Sequence, residues 1–406
     1  MGMSGRWSTF LRYALPLRGG VSGPTLPEFE RAFAEAIGVS FALGFWKGRV
    51  AFYAALRGLG LKQGDEIILP AYTCMVVPAA AARLGVIPKY VDIEPVYCTL
   101  DPGGLPRALS SRTKAIMIQH TYGWPSAGLE SVRTFAAEHG LALIEDCCHA
   151  LGTRVAGRHA GAWGNVGFFS TQWSKPLTTG LGGIMVTDDH RLYESVDACR
   201  ASEARLPGRW SVTQLAWQGL AYEALVFPRT AAVARNAYRW LGSRSLVIGS
   251  TSAAEYDAPG DGYFRTMSQL QAAAGLAGLR RLPQLIAHRR ALSDYYHDAL
   301  GDSGWGLPPR PADSEVTLLR YPIRVADKPS ILALSDKHGV ELGDWFVRPL
   351  HSHLADQERY GYRTGMCPNA DRAAAEIVNL PLHARVSQRA ARRVVEFVLE
   401  NCRPPT

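Results

Sequence analysis

Short apolar runs of strand length alternate with helical patterns from about residue 39 to residue 187, and no other feature of the chain restricts the fold as strongly. The runs are VSFALGF, EIILPAY, PKYVDI, TKAIMIQHTYG, LALIEDCC, VGFFST and GGIMVTD. VAFYAALRGLGL, VVPAAAARLG and LESVRTFAAEHG lie between them and read as helices. Ahead of the first run, PTLPEFERAFAEAIG opens on prolines and carries Phe29, Phe33, Ala36 and Ile37 at helical spacing. Strands that are apolar almost throughout, with helices between them, belong to a mostly parallel sheet covered by helices on its faces. The predicted fold is therefore α/β, three-layered. Sheets of this kind bind ligands at the carboxyl ends of their strands. Gln119, His120, Asp146 and Ser170 fall at such ends.

The chain's 406 residues suggest more than one domain. We expect a large domain over 1–200, led by an arm at 1–23, and a smaller α+β domain over 261–406. In the latter, LLRYPIRV reads as a strand and RAARRVVEFVLENC as the last helix. Between them, 201–260 is an aromatic, arginine-bearing insert with helices expected near 211–226 and 229–241.

The net charge of +8 is dispersed, with arginine-rich stretches only at Arg205–Arg244 and Arg385–Arg393, and no continuous basic run suggests nucleic acid. Seven cysteines without CxxC spacing, no secretory pattern at the start and no long apolar run predict a reduced, cytoplasmic chain without a transmembrane helix. Cys147-Cys148-His149 does not read as a metal site, because adjacent side chains on a strand point apart and no second ligand cluster is visible.

FFSTQWSKPLTTGLGG, residues 168–183, sets Lys175 between a hydroxyl-rich run and a double glycine, with no acid nearby. Taken singly, Lys175 is a surface lysine, Asp146 a helix cap, Ser170 a strand-end hydroxyl and Gly48-Arg49 a strand-to-helix turn. Jointly they match what pyridoxal phosphate requires. The cofactor needs a lysine for its aldehyde, which is Lys175, and a carboxylate for its pyridine nitrogen, which is Asp146. Its phosphate needs backbone amides at a helix start with hydroxyls or a cation, for which Gly48, Arg49 and Ser170 are candidates.

The motifs GDEIILPAYT (64–73), PKYVDI (88–93), LDP (100–102), TKAI (113–116), IEDCCHALG (144–152), G…GNVGFFS…SK…GLGG (161–183), GYFRTMSQLQAAAGL (262–276) and NLPLH (379–383) resemble the sugar-nucleotide aminotransferases of the DegT/StrS type. These are fold-type I pyridoxal phosphate enzymes with an aspartate-aminotransferase-like large domain, and the resemblance covers about residues 24–400. It implies Asp146 at the ring nitrogen, His149 near the ring hydroxyl, Ser170 at the phosphate and Lys175 as the imine-forming base. It implies a homodimer with shared active sites, glutamate as the amino donor and a keto-sugar nucleotide as acceptor. Another enzyme on the same scaffold, a dehydratase or an aminotransferase of a cyclitol or other non-sugar carbonyl, is the alternative. Related 3-dehydratases carry histidine at the lysine position, so Lys175 argues against that branch.

The chain departs from the family pattern at several places. Lys47-Gly48-Arg49 replaces Ser-Gly-Thr, and Leu181 replaces an acid. Cys74 stands where an aromatic stacks on the cofactor, a role we give to Tyr72. Phe264 stands where an asparagine is expected, with Arg265 as the compensating residue. His120, Tyr122, Arg265 and His351 are further candidates for substrate contact. The 201–260 insert is expected to pack on the dimer or cover the site, and its Trp and Arg content also suits peripheral contact with a membrane.

Overall fold

In the computed structural model the described residues are 10–11, 14, 25–225, 248, 256, 262–354 and 356–405. Most of the expected N-terminal arm and the second helix of the insert lie outside them. Helix α1 (Thr25–Ile37) opens the fold, followed by β1 (Phe41–Phe45), α2 (Gly48–Gly58), β2 (Glu66–Pro70), β3 (Thr73–Cys74), α3 (Val76–Ala82) and β4 (Ile87–Val91). Then come β5 (Thr113–Gln119), α4 (Leu129–Glu138), β6 (Ala142–Asp146), β7 (Val166–Ser170), β8 (Gly183–Thr187), α5 (His190–Glu203) and α6 (Arg209–Leu225).

The central sheet has seven strands in the order β1-β8-β7-β6-β5-β2-β4. Strands β4, β2, β5, β6 and β7 pair in parallel, whereas β8 runs antiparallel to both of its neighbours. β2 and β8 are buried along their whole length, which accounts for their unbroken apolar sequences. On one face Val50, Phe52 and Leu56 of α2 pack against Phe45, Phe168 and Met185. The α1 stripe Phe29, Phe33 and Ile37 joins Phe169 and Ile184 on another side. The α/β fold with a mostly parallel sheet is thus the one the alternation predicts.

The C-terminal part adds α7 (Gln269–Leu279), α8 (Leu282–Gly301), β9 (Tyr321–Arg324), α9 (Lys328–His338), β10 (Leu350–His351), α10 (Pro368–Glu376), β11 (Ile377–Leu380) and α11 (Gln388–Asn401). β9 and β11 pair antiparallel, and β10 pairs in parallel with β3. The core here takes in Tyr72, Tyr122 and Trp124 from the N-terminal half, so it is not confined to residues 261 onward. Among the described residues no helix is long and apolar enough to cross a membrane.

One close approach fixes the sheet against α2. A Cβ on Gly183, the first residue of β8, would overlap the Lys47 backbone and crowd Gly48 Cα. Only glycine lets β8 run this close to the start of α2. We predict that Gly183→Ala costs about 1–3 kcal/mol of stability, read as a lower urea midpoint. An unchanged midpoint would mean that the two segments separate without cost.

Candidate active site

A cavity of about 660 Å³ opens at the carboxyl ends of the parallel strands, with Asp146, His149, Ser170, Lys175, Gly48 and Arg49 all in its lining. Asp146 ends β6, in register with Gln119 on β5 and Phe168 on β7. Lys175 sits in the connection from β7 to β8. That connection is held by the Thr171 amide on Gly182 O at 3.0 Å and the Thr179 amide on Thr171 O at 2.8 Å. The Thr171 and Thr179 hydroxyls meet at 2.7 Å. A Cβ on Gly182 would fall on both hydroxyls, so the first residue of the double glycine is a packing requirement. Leu181, where an acid was expected by resemblance, packs with Trp46, Leu215 and Leu270, and its carbonyl accepts from Gln271 Nε2 at 2.7 Å. A charge there would be buried among apolar side chains.

Lys175 is only 9% exposed. Burial lowers its pKa from the usual lysine range, while Cys148 and Asp146 oppose that shift. Asp146 is 5% exposed, and burial raises its pKa against hydrogen bonds from Cys148 and the charge of Lys175. The Cys148 amide donates to Asp146 Oδ1 at 2.9 Å. Among the described residues no ion pair holds either group, though both line one cavity. A buried amine and a buried carboxylate left apart leave room for a group that satisfies both.

The His149 ring accepts the Tyr122 amide at Nδ1, 3.2 Å away, which leaves Nε2 as its hydrogen donor. Burial first, then Lys175 and Arg320, push its pKa well below the usual value, so the ring is neutral. It stacks on Trp345, with centroids 5.4 Å apart and planes 20° apart. Lys175 Nζ lies 5.1 Å from the Trp345 ring centroid and Arg320 Cζ 4.9 Å from it.

At the other end of the cavity, α2 begins at Gly48 after Lys47, whose side chain makes no capping hydrogen bond. A Cβ on Gly48 would stand 3.0 Å from Ser170 Cβ, so the missing side chain opens the space between the helix start and the Ser170 hydroxyl. An open helix start, a serine and an arginine lining one pocket suit a phosphate. These residues fit pyridoxal phosphate at both ends of the molecule.

Four expected residues are not brought to the cavity. Tyr72 is fully buried, and its hydroxyl meets that of Tyr122 at 2.7 Å and accepts the Phe346 amide at 3.3 Å. Tyr122 donates to Trp345 O at 2.6 Å. Both rings belong to the C-terminal core, so neither stacks in the cavity; they hold the Trp345–Phe346 segment. His120 is fully buried and bonds Glu145 at 3.0 Å. Glu145 also takes the amides of Gly161, Trp163 and Gly164, at 2.9, 2.6 and 2.8 Å. His120, Glu145 and Cys147 lie close enough to hold a metal. The first two, however, are committed to supporting the loop after β6. Arg265 packs beside Gly262 and gives its carbonyl to the Trp46 amide, apart from its own chain's cavity. His351 does line the cavity, its pKa lowered to about 3 mainly by burial.

Sequence reasoning missed Trp345 and Arg320, and it set Gln119 at a ligand-binding strand end without giving it a role. Gln119 Nε2 reaches Tyr72 O and Thr121 Oγ1, and its carbonyl accepts from Thr73 Oγ1 at 2.6 Å. Its place beside Asp146 at a strand end was a usable signal. Trp345 and Arg320 arrive from the C-terminal part with no motif around them. Within the described part of the insert, Tyr222 and Glu223 of α6 line the outer cavity, where Glu223 pairs with Arg385 at 3.2 Å.

A three-layer α/β fold with this cavity defines a class of cofactor-dependent group-transfer enzymes. The sequence pattern of the DegT/DnrJ/EryC1/StrS aminotransferase family matches residues 15–399, and the chain belongs to that family. It is an aminotransferase, and members of the family use pyridoxal phosphate. It is 27% identical over 412 residues to the spore coat polysaccharide biosynthesis protein SpsC of Bacillus subtilis, covering 96% of each chain. It is 38% identical over 182 residues to L-glutamine:scyllo-inosose aminotransferase of Streptomyces griseus, covering 45% of this chain and 42% of that one. Among solved structures it resembles S. venezuelae DesV, solved with a ketimine intermediate. There the TM-score is 0.75 at 26% identity, covering 97% of this chain and 94% of that one.

A buried lysine with a lowered pKa costs stability wherever its folded form must carry charge. The folded state binds fewer protons than the unfolded chain between the lowered pKa and the usual 10.5, so this penalty fades as pH rises through that window. We predict that cofactor-free Lys175→Met unfolds at a higher temperature than cofactor-free wild type at pH 7, with the gap closing toward pH 10. A variant less stable than wild type at pH 7 would show that Lys175 is not held in a desolvated place.

Proposed function

We propose that this protein is a pyridoxal phosphate-dependent aminotransferase that moves an amino group from an amino acid, with glutamate the expected donor, to the carbonyl of a keto-sugar nucleotide. One observation supports it above the others: Lys175 and Asp146 are buried in the same cavity and make no ion pair with each other or with any other described residue.

In this reading Lys175 Nζ is the amine offered to the cofactor aldehyde, and Asp146 keeps the ring nitrogen protonated. His149 Nε2–H faces the ring hydroxyl, and Gly48, Arg49 and Ser170 take the phosphate. Bound pyridoxal phosphate supplies an aldehyde for the substrate amine and a protonated ring that takes up electrons from the α-carbon. Lys175 must then carry the proton. Its burial favours the neutral amine, so Nζ would be able to accept the α-proton of the donor and return it to the former aldehyde carbon, across the nitrogen that would join the two. The stacked rings of Trp345 and His149 border Nζ on one side of the cavity.

The acceptor reading rests on the motif resemblance and on the arginines of the outer cavity. Arg281, Arg320 and Arg385 line it, and Arg320 forms no ion pair with a described acid. Arginine suits the phosphates of a nucleotide or a carboxylate. A cyclitol ketone is the second reading, favoured by the likeness to the inosose aminotransferase. We also propose a homodimer. Arg265, away from its own cavity, is then available to the site of the other copy.

We expect Lys175→Ala to abolish the visible absorbance of the bound cofactor and to lower turnover at least about a thousandfold. Arg320→Ala is expected to raise KM for an anionic acceptor roughly tenfold while leaving cofactor absorbance intact. A panel of keto-sugar nucleotides and inososes, supplied with glutamate or glutamine and followed by mass spectrometry of the product, separates the two acceptor readings. Failure of every donor to change the cofactor spectrum would count against transamination itself.

A further inference from the structure

Helix α6 has two apolar faces, and the fold uses one of them. Inward, Val212, Leu215, Ala216 and Leu220 pack with Trp46, Leu181 and Leu270. Gly219 lets the Phe10 ring lie directly on the helix, where a Cβ would overlap it. Outward, Trp210 is 73% exposed and Trp217 57%. They are seven residues apart and so share one face. Ala221 and Ala224 continue that stripe in the open, and Leu206, 54% exposed, precedes it. A helix with its inner face already seated in a core normally turns charge outward. Here the outer stripe carries two tryptophans and no acid.

The exposed charges that adjoin this face in the sequence are arginines. Arg205 and Arg209 are exposed next to Leu206 and Trp210. The sequence that follows, residues 224–254, contains Arg229, Arg235, Arg239 and Arg244 and no aspartate or glutamate. Tryptophan rings settle at the headgroup level of a bilayer, and neighbouring guanidinium groups are drawn to anionic lipid phosphates.

We propose that the outward face of α6 docks the protein on an anionic membrane surface, with Trp210 and Trp217 as the inserted side chains. Tyr222 and Glu223 of the same helix line the cavity, so the docked helix would carry one wall of the active site at the bilayer. The inference goes beyond the aminotransferase reading and does not depend on it.

The test uses the full chain with its cofactor and sedimented vesicles of phosphatidylcholine, with or without phosphatidylglycerol at roughly a quarter of the lipid. The protein should sediment with the anionic vesicles, at least about tenfold less with the neutral ones, and less as salt rises. The Trp210→Ser/Trp217→Ser double variant should lose binding roughly tenfold or more with its unfolding midpoint and cofactor absorbance unchanged. If that variant does not fold, Arg209→Glu should weaken vesicle binding in the same assay. The proposal is overturned if wild type ignores anionic vesicles, or if these variants bind them as well as wild type. It is equally overturned if wild type stays soluble and the double variant changes solution mass by light scattering, since the face would then be a subunit interface.

Discussion

An amine and a carboxylate buried in one cavity would ordinarily close on each other; Lys175 and Asp146 are held apart by the backbone that carries them. Asp146 is fixed by the register of β6 between β5 and β7, and by the Cys148 amide on its oxygen. Lys175 is fixed by a connection whose hydroxyl pair, Thr171 and Thr179, occupies the space a side chain at Gly182 would need. Burial then acts on both in opposite directions, lowering the lysine pKa and raising that of the aspartate. Each group is left wanting a partner of opposite character, and a protonated ring bearing an aldehyde would serve both. The arrangement sacrifices stability in the empty protein, as preorganised sites commonly do.

The C-terminal part completes the cavity through one segment. Trp345 stacks on His149 and faces both Lys175 and Arg320. Its backbone is gripped from several sides: Asn379 Oδ1 accepts its amide at 3.0 Å and Tyr122 donates to its carbonyl at 2.6 Å. Lys328 Nζ donates to Phe346 O at 2.8 Å. Tyr72 and Tyr122 therefore influence the site by positioning an aromatic wall, and the ring that borders the cavity is contributed by a residue some 270 positions away from Cys74.

The sheet was legible in the sequence because most of its strands, the edge strand β4 excepted, are buried along nearly their whole length, so they read as apolar runs between helical periods. The reversal of β8 was not legible, since burial pattern carries no strand direction. Lys175, Asp146, Ser170 and Gly48 could be read because each lies within a few residues of a strand end or helix start. Tyr72, Tyr122 and His120 misled for a related reason. Strand ends bear polar groups that serve packing as often as ligands, and only the structure shows the Tyr72 and Tyr122 hydroxyls bonded to each other. Trp345 and Arg320 were out of reach, because their closeness to Lys175 comes from tertiary folding and no local spacing encodes it.

The central claim is that Lys175 Nζ is the amine that engages the cofactor. Borohydride reduction of the purified holoprotein, followed by proteolysis and mass spectrometry, tests it directly. The account predicts a pyridoxyl mass increment on the peptide that contains Lys175 and on no other. An increment on a different lysine, or none in a preparation that retains the cofactor, would contradict it.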